Sequence, residues 1–203
     1  ANGNDEAGIT YVVFGKTSIS PINLSDVANG VGGFVINGST SIAGNSPHGD
    51  WNGFSVSGAG DVNGDGFADI FIGTPWANTS ATVGTEEGRG YLVFGKAGTS
   101  AVNLSDVARG IGGFVVNGQF ASNHAGHAVS SAGDVNGDGL ADLIIGAPFG
   151  GDNNGVSPGY AYVVFGKTGT TAVDLSALGT AGFVIKGTQT SSFTGLSVAS
   201  AGD

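Results

Sequence analysis

Gly53-Phe-Ser-Val-Ser-Gly-Ala-Gly-Asp61 returns as Gly126-His-Ala-Val-Ser-Ser-Ala-Gly-Asp134, and again as Gly195-Leu-Ser-Val-Ala-Ser-Ala-Gly-Asp203. Two other segments recur in the same order, at intervals of about 70–80 residues. Tyr11-Val-Val-Phe-Gly-Lys16 matches Tyr91-Leu-Val-Phe-Gly-Lys96 and Tyr162-Val-Val-Phe-Gly-Lys167. Gly33-Phe-Val-Ile-Asn-Gly38 matches Gly113-Phe-Val-Val-Asn-Gly118 and Gly182-Phe-Val-Ile-Lys-Gly187. Self-similarity at a fixed period marks a repeat architecture.

Each period holds four short runs rich in Val, Ile, Phe and Tyr, bounded by Gly, Asn, Asp and Pro, which reads as strands between turns. In the middle repeat they fall near Phe54–Gly58, Ala68–Gly73, Gly90–Phe94 and Gly113–Asn117. Only Leu24-Ser-Asp-Val27 and its counterpart Leu104-Ser-Asp-Val107 read as helical. Four antiparallel strands per unit make a blade, and blades set radially make a β-propeller. A β-sandwich would not give so regular a period. The expected fold is therefore all-β, built of propeller blades.

The expected divisions are a partial blade with its connection over 1–52, complete blades over 53–125 and 126–194, and the first strand of a further blade over 195–203. That makes eleven strands, one short of three blades. Propellers usually close with four to eight blades, so the chain reads as part of a larger propeller or repeat array. It opens Ala-Asn-Gly-Asn and contains no Met, which fits a processed, cut or partial chain.

Composition narrows the function classes. Forty of 203 residues are glycine, without the three-residue period of collagen. With 40% apolar and only 11% charged residues, the chain can build a core and does not resemble a disordered one. Sixteen acidic against six basic residues leave no basic stripe for nucleic acid. Cysteine is absent, which removes disulfides and thiol catalysis and fits an exported protein. No apolar run approaches the roughly 20 residues of a membrane helix.

The chemistry concentrates between the first and second strands, in Asp61-Val-Asn-Gly-Asp-Gly-Phe-Ala-Asp69 and Asp134-Val-Asn-Gly-Asp-Gly-Leu-Ala-Asp142. Oxygen side chains stand at positions 1, 3, 5 and 9, and Gly66 or Gly139 supplies a sharp turn at position 6. This pattern suits Ca²⁺, a hard cation that takes six to eight oxygens. The expected ligands are Asp61, Asn63, Asp65, the Phe67 carbonyl and Asp69, and likewise Asp134, Asn136, Asp138, the Leu140 carbonyl and Asp142. The Phe67 and Leu140 side chains are expected to turn into the core. Hairpin turns alone need one Asn-Gly or Asp-Gly pair, not five constrained positions used twice. An EF-hand would place Glu at position 12, where Ile72 and Ile145 stand. Two Ca²⁺ per chain are expected, and no soft ligand favours zinc or copper.

With Phe94-Gly95, Phe165-Gly166 and Gly146-Ala-Pro148, the chain resembles the FG-GAP repeats of the integrin α-subunit propeller and of many bacterial exported proteins. The resemblance covers essentially the whole chain, with Gly73-Thr-Pro75 a mild departure. It implies calcium in the loops between first and second strands, and an extracellular or cell-surface location.

Antiparallel strands place the aspartate loops on one face and the second-to-third and fourth-to-first connections on the other. The second face is expected to carry His48, Asp50, Trp51, Trp76, Asn78, Glu86, Glu87, Arg89, Asn123, His124, Phe149, Asp152, Asn153 and Asn154. Its rings and amides suit a protein or carbohydrate ligand, while packing between blades is the plainer reading of Trp51 and its counterparts His124 and Phe193. No Ser-His-Asp order or acid pair recurs for catalysis, so an enzyme is not expected. The expected function is a calcium-binding adhesion or ligand-binding module. The alternatives are a structural unit of a fibre, surface layer or matrix, and an accessory region of a secreted hydrolase. Self-association is expected through the open ends of the arc, as a ring of about six blades from two chains or as a longer polymer.

Overall fold

The computed structural model describes residues 7–39, 50–79, 85–151 and 157–201. Its main strands are β1 (Ile9–Val13), β2 (Gly33–Asn37), β3 (Ser55–Gly60), β4 (Asp69–Thr74) and β5 (Arg89–Val93). A two-residue β6 (Val102–Asn103) precedes β7 (Gly113–Asn117), β8 (Ala128–Gly133), β9 (Asp142–Ala147) and β10 (Tyr160–Val164). A second two-residue strand, β11 (Val173–Asp174), precedes β12 (Gly182–Lys186). Helices α1 (Leu24–Ala28) and α2 (Leu104–Val107) stand where the sequence placed them, and a 3₁₀ turn at Leu175–Ala177 takes the third such place.

Two sheets contain a full set of four antiparallel strands, β3-β4-β5-β7 and β8-β9-β10-β12, and β1-β2 forms half a set. These are partial β-propeller blades, as the period implies. The registers of the two full blades match, down to a bulge before the aspartate loop at Gly58/Gly60 and at Ser131/Gly133. The third strands β5 and β10 are buried along their whole length. They lie between two partners in their own sheet and between two layers of side chains, which is why β10 reads as unbroken Tyr, Ala and Val and β5, after Arg89 and Gly90, as Tyr-Leu-Val.

The core lies between successive blades. Phe34 and Ile36 of the first sheet pack with Tyr91, Val93 and Leu104 of the second. Phe114 and Val116 of the second pack with Tyr162, Val164 and Leu175 of the third. Each blade contributes one layer to the interface before it and another to the interface after it.

Two features depart from the sequence reading. The expected strand at Gly195–Ala199 does not form, and Thr194 makes only an isolated bridge to Gly159. The first strands β3 and β8 owe their ladders to the second strands β4 and β9, and residues 195–201 have no such partner among the described residues. The second departure is an addition. β6 pairs in parallel with β2 of the preceding sheet, and β11 with β7, so the connection between third and fourth strands reaches back to extend its neighbour.

Close backbone contact between blades fixes one glycine of each Gly-x-Pro. Within one blade, Gly126 donates its N–H to the Gly146 carbonyl at 3.0 Å. A Cβ at Gly146 would lie 1.9 Å from the Gly195 carbonyl oxygen, and one at Gly73 would lie 2.0 Å from that of Gly126. Gly146→Ala should therefore destabilise by about 1–3 kcal/mol, the cost of overpacking. Gly98→Ala, with nothing within 4 Å, should stay near neutral. Urea denaturation of both variants checks the contrast.

Candidate metal-binding loops and the aromatic face

Each aspartate loop runs from a first strand to a second. Asp61 follows β3 and Asp69 opens β4, while Asp134 follows β8 and Asp142 opens β9. The loops fold bond for bond alike. Asp61 Oδ1 accepts from the Gly64 and Asp65 backbone N–H groups at 2.8 and 3.0 Å, and Oδ2 accepts from Gly66 at 2.9 Å. Asp134 accepts from Gly137, Asp138 and Gly139 at 2.8, 3.1 and 2.9 Å. Asn63 Oδ1 accepts from the Asp65 N–H, and Asp65 Oδ1 from the Phe67 N–H. Asn136 and Asp138 repeat both bonds. Side chains that bond to backbone two residues on make Asx turns, and here they coil the loop around its own oxygens. Gly66 and Gly139 both take φ 88° at the expected turn.

The ninth position does more than the sequence reading assigned. Asp69 Oδ2 accepts from Val62 N–H at 2.9 Å and Oδ1 from Gly95 N–H at 2.8 Å. Asp142 accepts from Val135 and Gly166 at 2.8 Å each. Both carboxylates are buried. They clamp the loop to the Phe-Gly turn that follows the third strand. The signal for this was the glycine of each Phe-Gly pair, which the sequence reading used only for resemblance.

Burial pushes the Asp69 carboxyl above the ordinary carboxylate range. The Gly95 and Val62 N–H groups pull it back, and the nearby Asp65 and Asp61 charges push it further up. Negative charge is thus concentrated in a loop that offers only oxygen donors, the set Ca²⁺ prefers. Among the described residues, no three His, Cys, Asp or Glu side chains gather as a metal cluster. The structure thus does not gather Asp61, Asp65 and Asp69, or Asp134, Asp138 and Asp142, into such a cluster.

One expectation is corrected. Phe67 does not turn into the core and is 45% exposed. Leu140, its counterpart, lies half-buried over Gly64 of the neighbouring loop, and no preceding loop stands beside Phe67 among the described residues. The loops also touch through backbone, the Ala141 N–H donating to the Asp61 carbonyl at 3.0 Å.

On the opposite face the aromatic rings form a continuous arc across three repeats. Centroid separations are 4.8 Å for Trp51–Trp76, 5.6 Å for Trp76–His124, 5.2 Å for His124–Phe149 and 5.8 Å for Phe149–Phe193. Phe54 and His127 lie inside the arc, 5.1 Å apart. Trp51, His124 and Phe193 stand at one repeat position and share left-handed backbone, at φ 49°, 53° and 50°. That conformation is strained for bulky side chains. The rings therefore pack between blades and face solvent at once, Trp51, Phe149 and Phe193 being about two-fifths exposed. Asn78, Glu87, Arg89 and Asn123, expected on this face, are buried. Glu87 Oε2 accepts from Thr79 N–H and Thr85 Oγ1, and Arg89 Nε donates to Asn117 Oδ1. His48, Asp152, Asn153 and Asn154 lie outside the described residues.

The FG-GAP repeat family model matches residues 52–93 and 125–164, which span both aspartate loops and the strands around them. The chain carries FG-GAP repeats. It is similar to Integrin alpha pat-2 of Caenorhabditis elegans, 37% identical over 125 residues and 59% of this chain. It is 34% identical to mouse Integrin alpha-E over 47% of the chain, and 31% identical to chicken Integrin alpha-V over 60%. The chain spans 8–11% of the length of these relatives. Among the described residues no helix is long and apolar enough to cross a membrane.

The buried clamp and the exposed loop positions should separate on mutation. With calcium chelated, Asp142→Ala should cost about 1–3 kcal/mol, because two part-buried backbone N–H groups lose their buried carboxylate acceptor. Exposed Asp138→Ala should cost well under half of that under the same conditions. Thermal denaturation in chelator reads the difference.

His124 gives a pH test. Burial holds its imidazole below the ordinary histidine range, against the pull of Glu86 at 3.9 Å. The folded state therefore binds this proton less readily than the unfolded chain. Its contribution is complete above about pH 6.5, the unfolded value, and is lost as pH falls below that. His124→Phe, with the residue found at equivalent position 193, should flatten the decline in melting temperature between about pH 6.5 and 5.

Proposed function

We propose that this chain is a calcium-stabilised propeller module of an exported or cell-surface protein, acting in adhesion by binding a protein or carbohydrate ligand. The observation that carries the reading is the division of labour between two faces: oxygen-rich loops of identical bonding on one, and a semi-exposed aromatic arc on the other. Two Ca²⁺ per chain would be held by the side chains of Asp61, Asn63, Asp65 and Asp69 with the Phe67 carbonyl, and by Asp134, Asn136, Asp138 and Asp142 with the Leu140 carbonyl. The ion would supply positive charge against the clustered carboxylates. The chain's own N–H groups orient those carboxylates, and the Asp69 and Asp142 clamps pass the order of the loop to the strands. Binding residues often sit on loops carried by a rigid scaffold, and stacked rings beside polar side chains suit a sugar or a protein surface. Similarity to integrin α subunits supports the adhesive and extracellular part of the reading.

Calorimetric titration with CaCl₂ should show two sites per chain, with dissociation constants of about 10⁻³ M or tighter. Asp65→Ala and Asp138→Ala should each remove one site. Folded protein that binds no calcium, or either variant still binding two ions, refutes the assignment. Trp51 and Trp76 are the only tryptophans, so their emission also reports occupation of the aromatic face when glycans or protein fragments are titrated in.

A further inference from the structure

The turn Phe165-Gly166-Lys167 lies between the two aspartate loops and bonds to both. Gly166 donates its N–H to Asp142 Oδ1 of its own blade at 2.8 Å. The next residue, Lys167, donates its backbone N–H to the Val62 carbonyl of the preceding blade's loop at 3.0 Å. A second bond runs beside it, because Ala141, next to Asp142, donates to the Asp61 carbonyl at 3.0 Å. That carbonyl shares a peptide unit with the Val62 N–H, which donates in turn to Asp69 Oδ2 at 2.9 Å. Two continuous paths therefore join the Asp69 clamp to the Asp142 clamp. One passes through Val62, Lys167 and Gly166, the other through Asp61 and Ala141.

The same groups are in close contact. A Cβ at Gly166 would lie 2.7 Å from the Ala141 carbonyl oxygen and from Leu140 Cβ, and 3.1 Å from the Val62 carbonyl oxygen. A Cβ at Gly60, just before the first loop, would lie 2.7 Å from Ala141 Cβ, and one at Gly64 would lie 3.0 Å from Leu140 Cδ2. Val62 is fully buried between the two loops. Close-packed contacts of this kind transmit displacement rather than absorb it.

We propose that the two aspartate loops open and close as one unit, so that whatever orders one loop orders the other. The two states are the bonded loop and an opened loop in which Asp61 or Asp134 releases the N–H groups it holds. Loss of the Asp142 clamp frees the 165–167 turn and the start of β9, and with them the donors to Asp61 and Val62. Opening of the first loop withdraws the same two carbonyls from Ala141 and Lys167. Loops that open together share one opening free energy, and the effect of each on the other is reciprocal. The inference concerns the chain's own bonds and does not rest on the calcium reading. It makes the contact between blades on this face the route by which a group bound at one loop is felt at the other.

Amide hydrogen exchange with calcium chelated tests it. Asp142→Asn, which keeps the shape of the clamp and removes an acceptor, should speed exchange at Gly64, Asp65 and Gly66 of the untouched first loop at least tenfold. Asp69→Asn should do the same at Gly137, Asp138 and Gly139. Amides of β5 and β10 report global opening and should change less than threefold. Asp174→Asn alters a carboxylate that caps the 3₁₀ turn, and should leave both loops unchanged. Leu140→Ala keeps the hydrogen-bonding side chains of both loops and removes the side chain over Gly64. It should speed Gly64 and Asp65 at least threefold, and it decides the matter where an Asn variant does not fold. Acceleration confined to the substituted loop, or shared equally by the strands, overturns the coupling, as does a first loop unchanged in Leu140→Ala. Because chelator is present throughout, the result is separate from whether the loops bind calcium.

Discussion

In each complete blade a buried carboxylate, Asp69 or Asp142, accepts from two backbone N–H groups that belong to different turns. One belongs to the aspartate loop and the other to the Phe-Gly turn after the third strand, so a single side chain sets where both turns end. A buried anion without such partners would be prohibitively costly. The clamp therefore also fixes the register of the second strand, which begins at the aspartate itself. The exposed part of the loop needs no such burial. That leaves its remaining oxygens to meet solvent or a cation while the fold is held from below.

The blades depend on one another as much as on their own hydrogen bonds. Their apolar layers meet at interfaces, and each short parallel addition extends the sheet of the preceding repeat. The lysine ammonium groups lie over a neighbour's phenylalanine ring, and burial there lowers the affinity of Lys96 and Lys167 for their protons. On the opposite face the interface ends in aromatic rings on strained backbone, so the residues that join blades there also form the surface.

Much of this was legible in the sequence because repetition averages out local ambiguity. Tyr91-Leu-Val-Phe-Gly and its copies located the third strands within one residue, and the oxygen spacing located the loops. Four things were not legible. The additions at Val102–Asn103 and Val173–Asp174 are two residues long and polar at one position, too short to show a strand period. The second role of Asp69 depends on Gly95, 26 residues away, which no local pattern connects. The outward setting of Phe67 follows from its neighbours in space, since Leu140 in the same motif position is half-buried. Burial of Glu87 and Arg89 was likewise hidden, because charged side chains read as solvated until their partners are known.

The parallel additions bear on how the chain acquires its structure during synthesis. The outer edge of β2 is completed by Asn103, which reaches Asn37 across 66 residues of sequence. At 5–20 residues per second a ribosome needs roughly 3–13 s to deliver that stretch, far longer than a hairpin needs to form. Each blade therefore emerges with an open edge and waits for the next repeat to close it, so completion proceeds from the N-terminus one blade behind translation. During that interval the unpaired edge is the part of the nascent chain most open to wrong pairing.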